Sequence, residues 1–223
     1  MGCGATTVAE ILAKRDHILL DFDGPVSAMF GGTLTDHDVA DRLKPLLGHV
    51  LPGEIAASHN PFDVLRYAAS CGPATLRAIE IQFRRLESEA ITTAPVTAGV
   101  AEVLPVLHQA GFTLTIVSNN SLEATRSFLV LHDLTTYVRR IIGRPADEPS
   151  LLTPNPFLVE RAIRSLGTSP ESCVLVGSSL ADVDAARAAG TAVIGYADNE
   201  AKAATLRSRG VDSIIDDIGQ LKP

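Results

Sequence analysis

From about residue 97 onward the chain alternates short apolar runs with amphipathic stretches, and that alternation leaves few folds open. Helices are expected near 99–109, at Ser121–Leu131, at Pro156–Leu166, at Leu180–Ala189 and near 199–208. Gly111, Gly167 and Gly190 stand where the first, third and fourth of these should end. The runs Phe112–Val117, Val138–Ile142, Cys173–Val176, Ala192–Gly195 and Ser213–Ile215 read as strands. Such a succession implies an α/β fold, a parallel sheet with helices on both faces and right-handed crossovers.

The first third reads differently. A short helix is expected over 6–14 and a strand over 17–22. From about 28 to 96 no β-branched run occurs, and helical periodicity takes over. Asp36 can cap a helix carrying Val39, Leu43, Leu46 and Leu47. Pro61-Phe62 opens a second with Val64, Leu65 and Ala68, and Pro73 a third with Leu76, Ile79, Phe83 and Leu86 on one face. Arg77, Arg84 and Arg85 fall mostly off that face and are expected in solvent. The organisation expected is an α/β core over 1–27 and 97–223, with a small α-helical insert over 28–96.

Three strand ends carry the chemistry. The first, within His17–Val26, ends in Asp21-Phe22-Asp23-Gly24-Pro25. Side chains two apart on a strand share a side, so Asp21 and Asp23 fall together. An ordinary Asp-Gly turn is the plainer reading of those residues alone. The second run, Leu114–Asn120, ends in Ser118-Asn119-Asn120; the third, Val174–Asp182, ends in Gly177-Ser178-Ser179-Leu180-Ala181-Asp182. Carboxyl ends of parallel strands open on one edge of the sheet, so residues a hundred positions apart can share one crevice.

In these motifs the chain resembles the haloacid dehalogenase superfamily over essentially its whole length. Asp21–Gly24 matches that family's Asp-x-Asp-Gly motif, Ser118 its second motif, and Asp182 the second acid of its fourth. The resemblance implies a Rossmann-like core with the insert over 28–96 as a small α-helical cap, and a hydrolase using Mg2+ and acting on a small phosphorylated metabolite, phosphoglycolate-like or sugar-phosphate-like. It implies Asp21 as nucleophile, Asp23 as general acid and base, Ser118 and Asn119 as phosphate-binding, and Asp21, Asp23 (through its carbonyl) and Asp182 about the metal. Relatives that cleave carbon–halogen bonds lack the second aspartate, so Asp23 favours phosphate ester hydrolysis. Helix capping is the plainer reading of Asn119 and Asn120.

Two positions depart from the pattern. Thr153, in Leu152-Thr153-Pro154, stands where relatives carry a lysine, and Ser178 where they carry the first acid of the fourth motif. Threonine brings no charge to a phosphoryl group, and serine is a poor ligand for a hard cation. Arg144 and Arg140, in the preceding stretch, are candidates to replace the lysine, a surface arginine being the alternative. Asp184 is expected to face away from the site as a solvated charge. These departures keep a second reading open, a catalytically impaired phosphatase that binds a phosphorylated ligand or partner.

The totals exclude other classes. The 223 residues carry a net charge of −7 with no long basic run, which argues against nucleic acid as a partner. No apolar stretch has the length of a membrane span and no secretory pattern opens the chain, so a cytoplasmic protein is expected, bacterial by its Ala- and Arg-rich composition. Cys3, Cys71 and Cys173 are too scattered for a disulfide framework or a zinc site, and Cys173 reads as a buried small residue. The start, Met1-Gly2-Cys3-Gly4-Ala5-Thr6, fits the loose myristoylation template, which is short enough to arise by chance.

Overall fold

The computed structural model describes residues 6–223, so Gly2 and Cys3 of the myristoylation template lie outside the described residues. In chain order the elements are α1 (Val8–Leu12), β1 (His17–Asp21), α2 (Asp36–Leu43), α3 (Gly53–Ala57), α4 (Pro61–Ser70), α5 (Pro73–Ala90), α6 (Val100–Gln109), β2 (Thr113–Val117), α7 (Leu122–Leu131), β3 (Val138–Ile142), α8 (Phe157–Leu166), β4 (Cys173–Gly177), α9 (Leu180–Ala189), β5 (Ala192–Tyr196), α10 (Glu200–Ser208) and β6 (Ser213–Ile215). The six strands form one parallel sheet in the order β3-β2-β1-β4-β5-β6. Each expected strand is present within a residue or two of its expected ends.

The sheet order decides where chemistry can occur. β1 lies between β2 and β4, and the order reverses there, which is where open α/β sheets leave a crevice at their carboxyl edge. Asp21 pairs in register with Val117 and Leu20 with Val176, so the segments after β1, β2 and β4 emerge side by side. Beneath them Ile18, Leu19, Leu20, Ile116, Val174 and Val176 are almost fully buried, so the edge rests on a packed floor.

The helices of 28–96 sit above that edge. Thr35, rather than Asp36, caps α2: its hydroxyl accepts the Asp38 N–H at 3.2 Å, and the Asp38 carboxylate accepts the Thr35 N–H at 3.0 Å. Thr35 wins because a hydroxyl one position earlier reaches the third N–H of the helix, and Asp38 completes the reciprocal pair. The amphipathic run past Leu43 tightens into a 3₁₀ turn over Lys44–Leu47, which buries Leu47 and leaves Leu46 in solvent, contrary to the helical spacing. α3, a single turn after Pro52, was not apparent from periodicity, being too short to show a period.

The chain enters and leaves this helical layer at one place. Thr97 N–H donates to the Val26 carbonyl at 3.0 Å, Ser27 Oγ to the Pro95 carbonyl at 2.9 Å, and Thr97 Oγ1 to the Gly24 carbonyl at 2.6 Å. Two chain crossings far apart in sequence are thereby joined a few residues beyond Asp23.

Candidate active site

A cavity of about 1020 Å³ lies between the carboxyl edge of the sheet and the helical layer. From the core it is lined by Asp21, Asp23, Asn119, Thr153, Ser178 and Asp182, among others, and from the layer by Met29, Phe30, Asp36, His59, Phe62 and Arg66.

The two aspartates of the first motif differ in surroundings. Asp23 is held from two sides: the Met29 N–H donates to Oδ1 at 2.9 Å, and Asn120 Nδ2 donates to Oδ2 at 2.5 Å. Burial pushes the Asp23 carboxyl up to about 7, against the opposing pull of those two hydrogen bonds. Asp21 has its carboxyl driven well above the usual range, first by burial and then by the charges of Asp182 and Asp23. Asp182 is raised too, again chiefly by burial. Asp182 also closes a capping box on α9: its Oδ2 accepts the N–H groups of Ser178 at 3.0 Å and Ser179 at 2.9 Å, and its own N–H donates to Ser179 Oγ at 3.2 Å. The Ser-x-x-Asp spacing is the signal that could have announced this.

Ser178 takes a specific role. Its hydroxyl donates to the Asp23 main-chain carbonyl at 2.6 Å. This approach requires Gly24, whose φ is +109° and where an added Cβ would stand 2.6 Å from Ser178 Cβ and Oγ.

After β2, Ser118 is buried and its hydroxyl accepts the Asn120 N–H at 3.0 Å; it is not among the described residues that line the cavity. Asn119 does line it, and its amide makes a reciprocal pair with Thr153, donating to Oγ1 at 2.8 Å and accepting the Thr153 N–H at 3.1 Å. Ser121, not either asparagine, caps α7. Asn120, read from the sequence as a possible cap only, is the residue that orients Asp23. No local spacing signals that, since the two are joined only by the pairing of β1 with β2.

Neither candidate for the missing lysine reaches the cavity. Arg140 lies on β3 with its side chain exposed. Arg144 is fully buried in a cage of carboxylates from α5: Nε donates to Glu80 Oε2 at 3.0 Å and Nη1 to Glu87 Oε1, with the guanidinium 4.5 Å above the Phe83 ring. Glu80, Phe83 and Glu87 recur at three- and four-residue spacing and so share one face of α5. Asp184 points away and pairs with Arg209 at 2.8 Å, as its position on α9 implied. Arg84 departs from the expected solvated role, bridging Glu80 at 2.7 Å and Glu123 at 2.9 Å.

Asp21, Asp23 and Asp182 bring three buried carboxyls into one cavity, and the charges of Asp182 and Asp23 add to burial in raising Asp21, a condition a cation relieves. Among the described residues no group of three or more His, Cys, Asp and Glu is placed to hold a metal ion by itself. Mg2+ is commonly held by one or two carboxylates, water and substrate phosphate rather than by an all-protein shell. Ser178 occupies one lone pair of the Asp23 carbonyl and leaves the other. The residues fit a hard, partly hydrated cation.

The sequence pattern of haloacid dehalogenase-like hydrolases matches residues 63–196. The chain belongs to that family. The matched stretch begins after the Asp21–Gly24 motif, so the family assignment and the first-motif geometry are independent observations. Among relatives, this haloacid dehalogenase-like chain is 27% identical over 215 residues to a phosphoglycolate phosphatase of Chromobacterium violaceum, covering 92% of this chain and 93% of that one. It is 35% identical over 101 residues to the pyrophosphatase PpaX of Halalkalibacterium halodurans, covering 44% and 46%. The chain spans about half the length of several of the curated relatives it matches. A crystal structure described as a predicted phosphatase from Clostridium acetobutylicum has the same fold, with TM-score 0.72 and 18% identity over 93% of this chain and 96% of that one. CbbY from Rhodobacter sphaeroides, crystallised with phosphate, superimposes with TM-score 0.68 at 18% identity over 93% and 96%.

Proposed function

We propose that this protein is a Mg2+-dependent phosphomonoesterase of a small metabolite, working through a phosphoryl group carried on Asp21. The observation that carries this reading is the pair at the end of β1. Asp21 opens onto the cavity, and Asp23 beside it is held by Asn120 and Met29 with its carboxyl raised to about 7. A carboxyl titrating there can give and take a proton near neutrality, which is what a general acid and base needs.

In the first half-reaction an Asp21 carboxylate oxygen attacks phosphorus, the bond to the leaving oxygen breaks, and the Asp23 proton moves to that oxygen. In the second, Asp23 removes a proton from water, the water oxygen bonds to phosphorus, and the bond to Asp21 breaks, releasing phosphate. Two displacements replace one harder hydrolysis. Asn120 keeps Asp23 turned toward the leaving oxygen, and Asn119 braces the Thr153 turn at the cavity wall. Asp21, Asp23 through its carbonyl, and Asp182 are the residues that would hold Mg2+, which when bound would offset the charge of nucleophile and phosphate. The helices over 28–96 would serve as a cap that excludes water and selects the leaving group. The names of the relatives, phosphoglycolate phosphatase and pyrophosphatase, favour small, strongly anionic substrates.

The test is phosphate release from a panel of phosphomonoesters, with and without Mg2+, by wild type and Asp21→Asn. Release that needs the metal and disappears in a folded Asp21→Asn protein is the expected result. A wild type no better than Asp21→Asn would refute the enzyme reading and turn attention to ligand binding, the role that Thr153 and Ser178 leave as the second possibility.

A further inference from the structure

The cavity is short of positive charge. Its lining includes five aspartates, Asp21, Asp23, Asp36, Asp182 and Asp198, against one arginine and one lysine, Arg66 and Lys202. A phosphomonoester brings further negative charge, so a preorganised cation beside the phosphoryl oxygens is a large part of what such a site must supply. Arg144 is engaged by Glu80 and Glu87. Lys202 lies 3.8 Å from Asp198 and 5.6 Å above the Tyr196 ring, and its charge acts on Asp182.

Arg66 is placed otherwise. It rises from α4, and its Nη2 donates to the Thr153 carbonyl at 3.0 Å while Nη1 donates to Asp63 Oδ1 at 3.2 Å. Thr153 is itself fixed to Asn119 by the reciprocal amide pair. Asp63 is held by the Ser58 hydroxyl at 2.8 Å. The guanidinium is thereby anchored at both ends, yet 36% of the side chain stays accessible. Of the five N–H donors of an arginine, two are used here, and the fork geometry of the rest suits phosphate oxygens.

We propose that Arg66 supplies, from the helical layer, the cation for the phosphoryl group at the turn where Thr153 brings none. This rests on the phosphatase reading above. It assigns the charge to an element outside the sheet, so the charge is in place only when α4 is seated on the Thr153 turn. Chemistry is then coupled to the position of the helical layer, and a leaving group too large to let α4 seat would be bound without being cleaved.

The experiment compares wild type, Arg66→Ala, Arg66→Lys and the double variant Arg66→Ala/Thr153→Lys. Each is assayed on two esters with unlike leaving groups, p-nitrophenyl phosphate and phosphoglycolate. Arg66→Ala is expected to lower kcat/KM by about a hundredfold, and by a similar factor for both esters, because the charge serves the phosphoryl group they share. Arg66→Lys should recover part of the loss, and Thr153→Lys in the Arg66→Ala background should recover about tenfold or more. Should Arg66→Ala fail to fold, Arg66→Gln removes the charge while keeping an N–H for Thr153. A loss within about threefold, a loss confined to one ester, or no rescue by Thr153→Lys would overturn the proposal. If wild type releases no phosphate above Asp21→Asn, the phosphatase reading fails by itself. Calorimetry with inorganic phosphate then decides Arg66, whose removal must still weaken binding about tenfold or more; unchanged affinity would overturn its role as the phosphate cation.

Discussion

Replacing Arg144 by methionine would remove a buried cation while keeping much of its apolar volume. The side chains of Arg144 and Glu87 have no solvent exposure, and Glu80 has 6%. Without the guanidinium, Glu80 retains Arg84 at 2.7 Å, but Glu87 is left with the Ser121 N–H alone at 3.2 Å. One uncompensated buried carboxylate remains, and removing one partner of a buried pair costs about 3–5 kcal/mol. For a chain of this size each kcal/mol lowers Tm by about 2–4 °C, so the expected drop is about 6–20 °C. Thermal unfolding followed by circular dichroism measures it. Glu87→Gln added to Arg144→Met should return a large part of the loss, because it removes the stranded charge. A drop below about 2 °C for the single variant, or a double variant less stable than the single, would refute the view that these charges tie α5 to the core.

Two further outcomes concern the site and a third the core of the sheet. The Asp23 carboxyl is raised by burial to about 7, so the folded protein without a cation holds that proton more tightly than the unfolded chain, and its contribution to stability is lost as pH rises from about 4 to about 7. In EDTA, wild type should therefore lose stability across that window more steeply than Asp23→Asn, and Mg2+ should offset the loss near pH 7; equal slopes would count against it. Asn120→Ala takes away one of the two donors that hold Asp23 and should cut kcat by about ten- to a hundredfold with KM little changed, read from steady-state kinetics. Burial pushes the Cys173 thiol up to about 11, so mass spectrometry after iodoacetamide at pH 8 should find it unmodified in the native protein and modified in urea.

The sheet was legible because most strands are short apolar runs set off by glycine, proline or a cap, signals that survive without any knowledge of neighbours; β3, Val-Arg-Arg-Ile-Ile, is the exception with its two exposed arginines. That the ends of β1, β2 and β4 open on one edge followed from the parallel reading alone; Asp21, Asn119 and Asp182 line the cavity there, whereas Ser118 does not. What could not be read were the partners of polar side chains across elements. Glu80 and Glu87 have the composition of a solvated helix face, and only the packing of α5 against the core turns them into a cage for Arg144. Arg144 stands closer in sequence to Thr153 than Arg66 does, so proximity along the chain pointed to the wrong arginine. Asn120 and Ser178 acquire their roles from strand order: β2 and β4 flank β1, which brings an amide to the Asp23 carboxylate and a hydroxyl to its carbonyl.

The hydrogen-bonded crossing of Val26 and Ser27 with Pro95 and Thr97 makes the whole helical layer, in topological terms, a long loop whose ends are already joined. The sheet has its own strand order and its own buried floor, and the entropy of loop closure depends only weakly on loop length, so the length of the joined segment matters little; the buried Arg144 is the exception, because any replacement segment must supply partners in place of Glu80 and Glu87. Segments of other lengths could be spliced at this junction without altering β1. By that route a lineage, or an engineer, could exchange the selectivity of the pocket as a module. Any such graft would have to bring its own counterpart of Arg66, or restore a charge at Thr153.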